Sequence, residues 1–536
     1  MRIPKLRGAL TRARWLRTDA GMRRQIRRVE AHLRANAGEA RDDTRPVLFF
    51  NASTRIHHPS LNAAFGLLAS WAVRIAGAPA RYVVCERGMD LCILGTNRAD
   101  YSAPPPCRPC LRRSSSLFPD ELRVPLTYDP GTDGARKELA SRRLEALVDW
   151  EYDGLRLGEL CLPGLRWALR RHRLPDDEAT SALFRRYLVS AVSLGRRFEK
   201  ILDEIRPRAL VVFNGILYPE AVARAVALRR GIPVVTHEVG LRPFSAFFSH
   251  QHATFREIEF SPGVGLNQEE ERRLDDYLSA RFRGQFSMAG VRFWPEMKAL
   301  PNELLVRMEE HRQTVVVFTN VIFDTSQVHA NTVFRDMFAW LEALRAEIER
   351  DPETLFVIRA HPDEDRPGKA SRETVAGWLE ERGLTRRPNV AFFGPSDYVS
   401  SYDLIRRSKL VLVYNSSIGL EATILGAPVV CAGRARYAQV PTAFFPATRE
   451  GYIGELRALL GADRISVPPE YAVNARRFLY HELYRASLDL SAFLEPYPGV
   501  PGMVTFSEFD PQALAQSREL GTIQDGILRG RTFALP

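Results

Sequence analysis

The chain has 536 residues, too many for one hydrophobic core, so two large domains with extensions are expected. With 45% hydrophobic and 26% charged residues, its composition is typical of a soluble globular protein. The net charge of +11 is unevenly distributed, and the chain beyond the N-terminal region is near neutral, which argues against nucleic-acid binding by the whole protein.

No segment is predicted to cross a bilayer. The most apolar candidate, Ala63–Ala80, is interrupted by Arg74 and Pro79. No short basic region followed by an apolar stretch opens the chain, so a secretory signal is not expected. The predicted location is therefore the cytoplasm.

Residues 1–45 form a basic arm with 13 Arg and Lys against 5 Asp and Glu. Met22, Ile26, Val29 and Leu33 recur at helical spacing among arginines, which predicts an amphipathic helix. Such a helix could lie on the anionic inner face of the cell membrane, which would make the protein a peripheral membrane protein, or it could be a solvated tail.

A first strand-helix-strand unit follows the arm. Pro46–Phe50 and Tyr82–Cys85 are predicted strands, and Leu61–Ile75 is the helix between them. His57 and His58 lie after the first strand, at the edge where open parallel sheets place ligands. They are candidates for the acceptor side of a site, although exposed loop histidines without a partner are common.

The segment 92–150 is rich in Pro, Ser and Arg and is interpreted as an insertion or long loop. Three cysteines of this segment and one that precedes it could supply thiolates to a structural zinc ion: Cys85, Cys92, Cys107 and Cys110. Because six residues rather than two to four separate the first pair, a buried, reduced loop without metal is preferred.

A second unit repeats the first. Ala209–Phe213 and Pro233–Thr236 are predicted strands around a helix at Pro219–Arg230. The turn after the last strand contains an imidazole and a carboxylate, and general-base chemistry requires residues of these types. The catalytic candidates are His237 and Glu238, and the neighbouring acceptor-side candidates are Asn214, Gly240 and Arg242. The glycine is expected to let the backbone approach a ligand, and a surface pair or helix cap is the alternative interpretation of the cluster.

The second domain opens with the strand Thr314–Phe318, followed by Thr319–Asp324 and a helix near Val333–Glu349. The next strand, Thr354–Arg359, leads directly into Ala360-His361-Pro362. Since proline disfavours the helical conformation in the residue before it, His361 is predicted to be extended at the strand end. Its imidazole could bind phosphate there, or it could be structural.

The strand Leu410–Tyr414 stops at Asn415-Ser416-Ser417, where a helix is predicted to begin. Either serine can cap the helix, or the turn can receive an anion such as phosphate. Glu421 falls one position too late for a capping box and is therefore predicted to be available to another partner.

These elements predict an α/β protein with two Rossmann-like, doubly wound domains that face a cleft. The arm, 1–45, is followed by an N-terminal acceptor-side domain at 46–300 and a C-terminal donor-side domain at 301–465. A helical extension is predicted for 466–536.

The ordered set of turns resembles a known family. Arg359–Pro362, followed about fifty residues later by Ser416–Ala422, is similar to the second lobe of bacterial capsule-polysaccharide glycosyltransferases of the GT-B fold. Related bacterial sialyltransferases and Kdo transferases share the His-Pro and Ser-Ser pairs. The resemblance covers roughly residues 206–433.

The resemblance implies roles for individual residues. It assigns His361, Ser416 and Ser417 to the phosphate of a CMP-sugar donor and places Glu421 near the nucleotide or sugar. Arg359 and Asn415, which adjoin these motifs, are assigned to the same donor site. Glu238-Val239-Gly240 resembles the acidic-acidic-glycine turn that supplies the catalytic carboxylate, but Val239 replaces the second acid and leaves His237 as a competitor.

The predicted function is glycosyl transfer from a nucleotide sugar to a surface or capsular polysaccharide or a lipid-linked acceptor. No cofactor, metal or nucleic-acid partner is predicted. A nucleotide-sugar epimerase, a polyol-phosphate transferase, and a non-catalytic assembly or export component remain as alternatives.

Overall fold

The computed structural model describes residues 3–36, 45–51, 59–256, 258, 265–285 and 297–536, with the backbone alone for residues 3–10. The candidates His57 and His58 lie outside the described residues. Among the described helices, none combines the length and apolar character needed to cross a membrane.

The described strands, in chain order, are β1 Val47–Phe50, β2 Ala80–Cys85, β3 Arg123–Leu126, β4 Ala209–Phe213, β5 Val234–Val239, β6 Ser245–Ser249, β7 Gln313–Phe318, β8 Thr354–Arg359, β9 Val390–Phe393, β10 Leu410–Val413, β11 Val429–Cys431, β12 Leu488–Asp489, β13 Leu494–Pro496 and β14 Val504–Phe506.

The described α-helices are α1 Ile3–Ala35, α2 Leu61–Ile75, α3 Cys107–Leu117, α4 Asp133–Leu139, α5 Leu144–Val148, α6 Leu157–Leu169, α7 Glu178–Ile205, α8 Glu220–Arg229, α9 Gln268–Phe282, α10 Asn302–Glu310, α11 Met337–Arg350, α12 Val375–Glu381, α13 Ser401–Arg407, α14 Ile418–Ile424, α15 Arg449–Gly461, α16 Pro469–Tyr480, α17 Ala513–Gln516 and α18 Arg518–Arg529.

Two sheets organise these elements. The first has the order β12-β6-β5-β4-β1-β2-β3, and its strands from β5 to β3 are parallel. The second has the order β11-β10-β7-β8-β9 and is entirely parallel. The predicted fold class, with two doubly wound α/β domains, is confirmed.

Helices cover both faces of each sheet, which explains the continuous apolar runs in the central strands. In β1, Leu48 and Phe50 face one core, formed with α6, α7 and α8. Val47 and Phe49 face the opposite core, formed with α1, α2 and α18. The second sheet likewise packs on α11 and α15 through one face and on α14 and α16 through the other.

The apolar stripe of the N-terminal helix packs against the rest of the protein. Met22, Ile26, Val29 and Leu33 are buried in the core that contains α2. On the same helix, Glu30 is buried and accepts a hydrogen bond from the Arg74 guanidinium at 2.7 Å. The predicted helix is present, but these four side chains pack on protein and are not available to a membrane.

Segment 92–150 was interpreted as an insertion or a long loop, and the long-loop interpretation is wrong. The segment contains α3, α4 and α5 and contributes β3 to the edge of the first sheet. Pro125 lies within β3, and proline is tolerated in an edge strand because one side of that strand needs no ladder hydrogen bonds.

The C-terminal segment differs from the helical extension predicted for 466–536. After α16, the strand β12 pairs antiparallel with β6, and α18 packs into the core beside α2. The chain therefore returns to the first domain, where its C-terminal part completes the sheet and one helical layer.

Candidate active site

A cleft of about 440 Å³ lies between the two domains. The carboxyl ends of β4 and β5 and the start of α2 line it from the first domain through Asn214, Glu238 and Asn62. The segment after β7 lines it from the second domain through Asp324 and Ser326. Polar side chains at the ends of parallel strands thus face each other across the cleft, as expected for a ligand site in this type of sheet.

Glu238 is held in place by two side-chain amides. Asn214 donates from Nδ2 to Glu238 Oε2 at 2.7 Å, and Asn62 donates from Nδ2 to Oε1 at 3.4 Å. Burial raises the pKa of Glu238 above the usual value for a glutamate, although these hydrogen bonds act in the opposite direction. The result is an oriented, half-buried carboxylate that is more basic than one in water.

His237 also lines the cleft, but its environment is different. Its ring is buried against Phe213 and Phe248, at centroid distances of 6.1 and 5.4 Å. Burial lowers the pKa of His237 to about 3, so its imidazole is neutral and only weakly basic. Both residues belong to β5, which continues through Val239, and the prediction of a turn after Thr236 is wrong.

A second, smaller cavity of about 80 Å³ lies in the second domain. It brings together the strand-end pair Arg359 and His361 and the serine turn, Ser416 and Ser417. These distant segments, which the resemblance assigns to one donor phosphate, line the same cavity, whereas Glu238 lines the other cavity and not this one. The residues also offer the hydrogen-bond donors that a phosphate requires.

Arg359 is the most unusual residue of this cavity, because its side chain is only 2% exposed. Its Nη1 donates to the carbonyl oxygens of Ala360 and Gly394. Its Nε and Nη2 are buried and have no hydrogen-bond partner within the part of the chain that the structure describes. Burial lowers the pKa of Arg359, as expected for a charge that lacks full compensation. An anion in the cavity would supply the missing acceptors.

His361 is extended, with φ −67° and ψ 135°, as predicted from the proline that follows it. Its Nδ1 accepts a hydrogen bond from the Asp363 backbone N–H at 3.1 Å. Burial lowers the pKa of His361, so the neutral ring carries its proton on Nε2. Nε2 can therefore act as a donor to a ligand.

The serine turn does not cap its helix. Ser417 precedes α14 in a helical conformation, with φ −61° and ψ −19°, and its side chain makes no capping hydrogen bond. A cap residue normally has an extended backbone, from which its oxygen can reach the amides of the first turn. The capping interpretation is therefore wrong, and the Ser417 hydroxyl remains available to a ligand.

Two further residues assigned to the donor, Glu421 and Asn415, make hydrogen bonds within the protein. Glu421 is buried, accepting from Arg281 Nη2 at 2.7 Å and from the Tyr402 hydroxyl at 2.6 Å. Glu421 thus bonds to other partners than the helix cap, as predicted, and it lines the same cavity as His361 and the serine turn. Asn415 accepts from Gln327 Nε2 and donates to the Ser326 carbonyl, each at 3.1 Å, and it lies outside the cavity lining.

Of the acceptor-side candidates Asn214, Gly240 and Arg242, the first lies in the cleft and the other two make structural contacts. Asn214 lies in the cleft and orients Glu238, whereas Gly240 pairs with Ser245 in the turn from β5 to β6. A Cβ on Gly240 would stand 2.3 Å from Ser245 Oγ, so the glycine is required by the hairpin and not by a ligand. Arg242 donates to Asp489 at 3.0 Å and to two carbonyls of the C-terminal segment, which it fixes to the first domain.

The four cysteines considered for zinc line one small cavity of about 30 Å³. Within the described ranges, however, no group of three or more His, Cys, Asp or Glu side chains is arranged to hold a metal ion. Burial raises the pKa of Cys85 to about 11 and that of Cys92 to about 12. These two groups are therefore neutral thiols at physiological pH.

Sequence reasoning missed two residues of the cleft, Asn62 and Asp324. Asn62 is the second residue of α2, and nothing in the local pattern separates it from an ordinary helical position. Asp324 ends the stretch after β7, at the same edge of the sheet as His361. Because open parallel sheets bind ligands at that edge, this position could have identified Asp324 as a candidate site residue.

Residues 296–440 match the family model described as capsule polysaccharide biosynthesis protein. The matched segment includes Arg359, His361, Ser416 and Ser417. The resemblance based on these motifs is confirmed for this part of the chain.

Similar proteins cover different shares of the chain. Protein FixF of Sinorhizobium fredii (strain NBRC 101917 / NGR234) is 27% identical over 239 residues, which represent 42% of this chain. The chain spans about half of that relative, 49% of its length. The KpsC beta Kdo 2,4 transferase of Thermosulfurimonas dismutans shares 16% identity, with a TM-score of 0.37, over 57% of this chain and 87% of that one. A UDP-GlcNAc 2-epimerase of Neisseria meningitidis, solved with UDP-GlcNAc, shares 11% identity, with a TM-score of 0.25, over 82% of this chain and 98% of that one.

Proposed function

We propose that the protein is a glycosyltransferase that moves a sugar from a nucleotide donor, with CMP as the carrier, to a surface or capsular polysaccharide or a lipid-linked acceptor. The family match to capsule polysaccharide biosynthesis supports the substrate class. The observation that carries the proposal is the cavity around Arg359, where a buried guanidinium with two unpaired nitrogens adjoins His361 and the serine turn.

The two sites have complementary roles in the proposed reaction. The acceptor oxygen forms a bond to the anomeric carbon, and the bond from that carbon to the donor phosphate breaks, with its electron pair passing to the phosphate. Arg359, His361 Nε2–H and the serine hydroxyls receive the developing charge. Glu238 takes the proton of the acceptor hydroxyl. In this assignment protein side chains, and not a divalent ion, neutralise the leaving phosphate.

Glu238 suits the role of base better than His237. Its pKa is raised by burial, and its carboxylate is oriented by Asn214 and Asn62. The pKa of His237 is lowered to about 3 by burial, which makes its imidazole a poor proton acceptor. We therefore assign the base to Glu238 and a packing role to His237.

The proposal includes a cytoplasmic location at the inner face of the membrane. Because the apolar stripe of α1 is buried, contact with anionic lipid is assigned to its exposed arginines, namely Arg12, Arg14, Arg17, Arg24, Arg27, Arg28 and Arg34.

A thermal-shift titration with CMP tests the donor site. CMP should raise the unfolding temperature, because a ligand present at 100 times its Kd stabilises the native state by about 2.7 kcal/mol. The double variant Ser416→Ala/Ser417→Ala should bind CMP at least roughly 10- to 150-fold more weakly, because each hydrogen bond lost to the charged phosphate contributes about 1.5–3 kcal/mol. Its unfolding temperature without ligand should not change, since Ser417 provides no cap.

Thr448→Ala is the matched control. Thr448 caps α15 by accepting from the Gly451 N–H at 3.0 Å, outside the cavity. This variant should lose about 1 kcal/mol of stability and keep its affinity for CMP. The absence of stabilisation by CMP and by other nucleotides or nucleotide sugars would count against the transferase proposal.

A further inference from the structure

Two histidines meet at the boundary between the domains, away from the residues that line the cleft and the donor cavity. His252 follows β6 in the first domain and His329 follows the short 3-10 turn Thr325–Gln327 in the second, and their ring centroids are 4.4 Å apart. Both side chains are half-buried, so each keeps part of its surface in contact with solvent. His252 Nδ1 and His329 Nε2 are buried and have no hydrogen-bond partner within the described part of the chain. Such unpaired polar atoms are rare in native proteins and point to a missing ligand, ion or water.

An arginine of the first domain lies beside this pair. A Cβ on Gly215 would stand 2.7 Å from Arg224 Cδ, on α8, and 3.1 Å from Thr236 Cγ2. Thr236 Oγ1 in turn accepts from the Ala253 N–H at 2.8 Å, next to His252. Arg224 Nε is buried and has no partner among the described residues. Burial lowers the pKa of Arg224, as expected for a cation without full compensation.

A second arginine approaches the pair from the other domain. Arg434 follows β11, and its N–H donates to the Ala330 carbonyl at 2.9 Å, directly beside His329. Its guanidinium lies over the Phe255 ring, with Cζ 4.0 Å from the centroid, and the Phe255 N–H donates to the His252 carbonyl at 3.0 Å. Arg434 is exposed, so the group is open to solvent on this side. Each domain therefore contributes one imidazole and one guanidinium.

Together, Arg224, His252, His329 and Arg434 form a basic cluster. Within the described ranges, none of the four side chains forms an ion pair with a carboxylate. Burial lowers the pKa of His252 to about 3, and the charges of Arg224 and His329 act in the same direction. Burial also lowers the pKa of His329, as do the charges of Arg434 and Arg224. The two imidazoles are therefore neutral at physiological pH, and an anion among them would offset the repulsion that disfavours their protonation.

We propose that this basic cluster is a binding site for a phosphate group that bridges the two domains, separate from the donor cavity. The guanidiniums supply charged N–H donors and the imidazoles supply neutral ones. Since these donors come from four separate segments, a phosphate with several oxygens accommodates them better than a carboxylate with two. A soluble phosphate compound and the phosphate of a lipid-linked molecule offer the same chemistry. The inference does not depend on the proposed function, because the cluster lies outside the residues that line both of its sites.

Histidine NMR of the full chain tests the site directly. Protein labelled in the imidazole carbons contains 11 histidines, and His252→Phe and His329→Phe identify the two relevant signals while keeping an aromatic ring at each position. Inorganic phosphate, titrated at constant ionic strength, should shift both signals. It should also raise the pH at which each ring becomes protonated, because a nearby anion favours the charged imidazole. Phosphate binding should therefore strengthen as the pH falls.

Replacing the arginines should weaken phosphate binding at this site. Arg224→Met should lower the affinity roughly 10- to 150-fold, since a hydrogen bond to a charged group is lost. Arg434→Met should act in the same direction by a smaller factor, and its exposed position keeps the test independent of folding. Arg230→Met is the control: Arg230 donates to Asp203 at 3.3 Å on the surface beyond α8, and this variant should bind as the wild type does. In Arg359→Met both histidine signals should still respond, because the donor cavity is a separate site.

Signals of His252 and His329 that do not respond to phosphate, or that respond equally in the wild type and in both Arg224→Met and Arg434→Met, would overturn the inference. The pair would then be two packed neutral rings. A parallel titration with short-chain phosphatidylglycerol distinguishes the sources of the phosphate. Tighter binding of the lipid assigns the site to a lipid-linked molecule, and tighter binding of inorganic phosphate assigns it to a soluble compound. CMP binding, measured on the same samples, reports on the proposed function separately.

Discussion

Replacing Glu238 by glutamine should lower the rate of sugar transfer by roughly 10²- to 10⁴-fold, the usual contribution of a positioned general base. The amide side chain has nearly the same shape and can still accept from Asn214, but it cannot take a proton. CMP affinity and the unfolding temperature should stay close to those of the wild type. Single-turnover transfer with a saturating donor measures the effect on the chemical step.

The direction of the pH dependence follows from the same residue. Burial raises the pKa of Glu238, so activity should fall as the pH drops through a value higher than that of an ordinary glutamate. The matched control is His237→Phe, since the imidazole packs against Phe213 and Phe248. If Glu238→Gln kept most of its activity and His237→Phe lost it, the base would be His237.

Replacing Arg359 by methionine should weaken CMP binding by roughly 10- to 150-fold, because a hydrogen bond to a charged group contributes about 1.5–3 kcal/mol. Without ligand, the variant should be about as stable as the wild type. The reason is that Arg359 is a buried charge with two unpaired nitrogens, and methionine removes that desolvation penalty. Isothermal titration and thermal unfolding measure the two quantities separately.

Arg457→Met serves as the control for this variant. Arg457 donates to the buried Glu347 at 2.7 Å, away from the cavity, and its loss leaves a buried carboxylate with fewer partners. This variant should lose stability and keep its CMP affinity, the reverse of Arg359→Met. Wild-type affinity in Arg359→Met would mean that the phosphate binds elsewhere.

The parts of the site that follow from local sequence were predictable. Arg359 is the last residue of a buried parallel strand, His361 lies two residues beyond it, and Ser416 and Ser417 follow another such strand. In an open parallel sheet such positions share one edge, so convergence on one cavity needs no knowledge of distant contacts. The extended conformation of His361 followed from Pro362 alone.

Contacts between distant residues could not be predicted. Glu421 was predicted to bond to a partner other than the helix cap, but that partner, Arg281, lies 140 residues away and has no local signal. The apolar stripe on α1 was predicted correctly. The stripe alone does not show which surface it packs against, and in the structure that surface includes α2. Similarly, β12 joins β6 across more than 200 residues, so its pairing has no local signal.

The most direct test of the central claim is a crystal structure of the protein with CMP bound. Phosphate oxygens should lie within hydrogen-bond distance of Arg359 Nη2, His361 Nε2 and a hydroxyl of the serine turn, with the cleft of Glu238 open toward the position of the donor sugar. A phosphate bound instead beside Arg366 and Lys369 in the larger cleft, with the Arg359 cavity empty, would contradict the account.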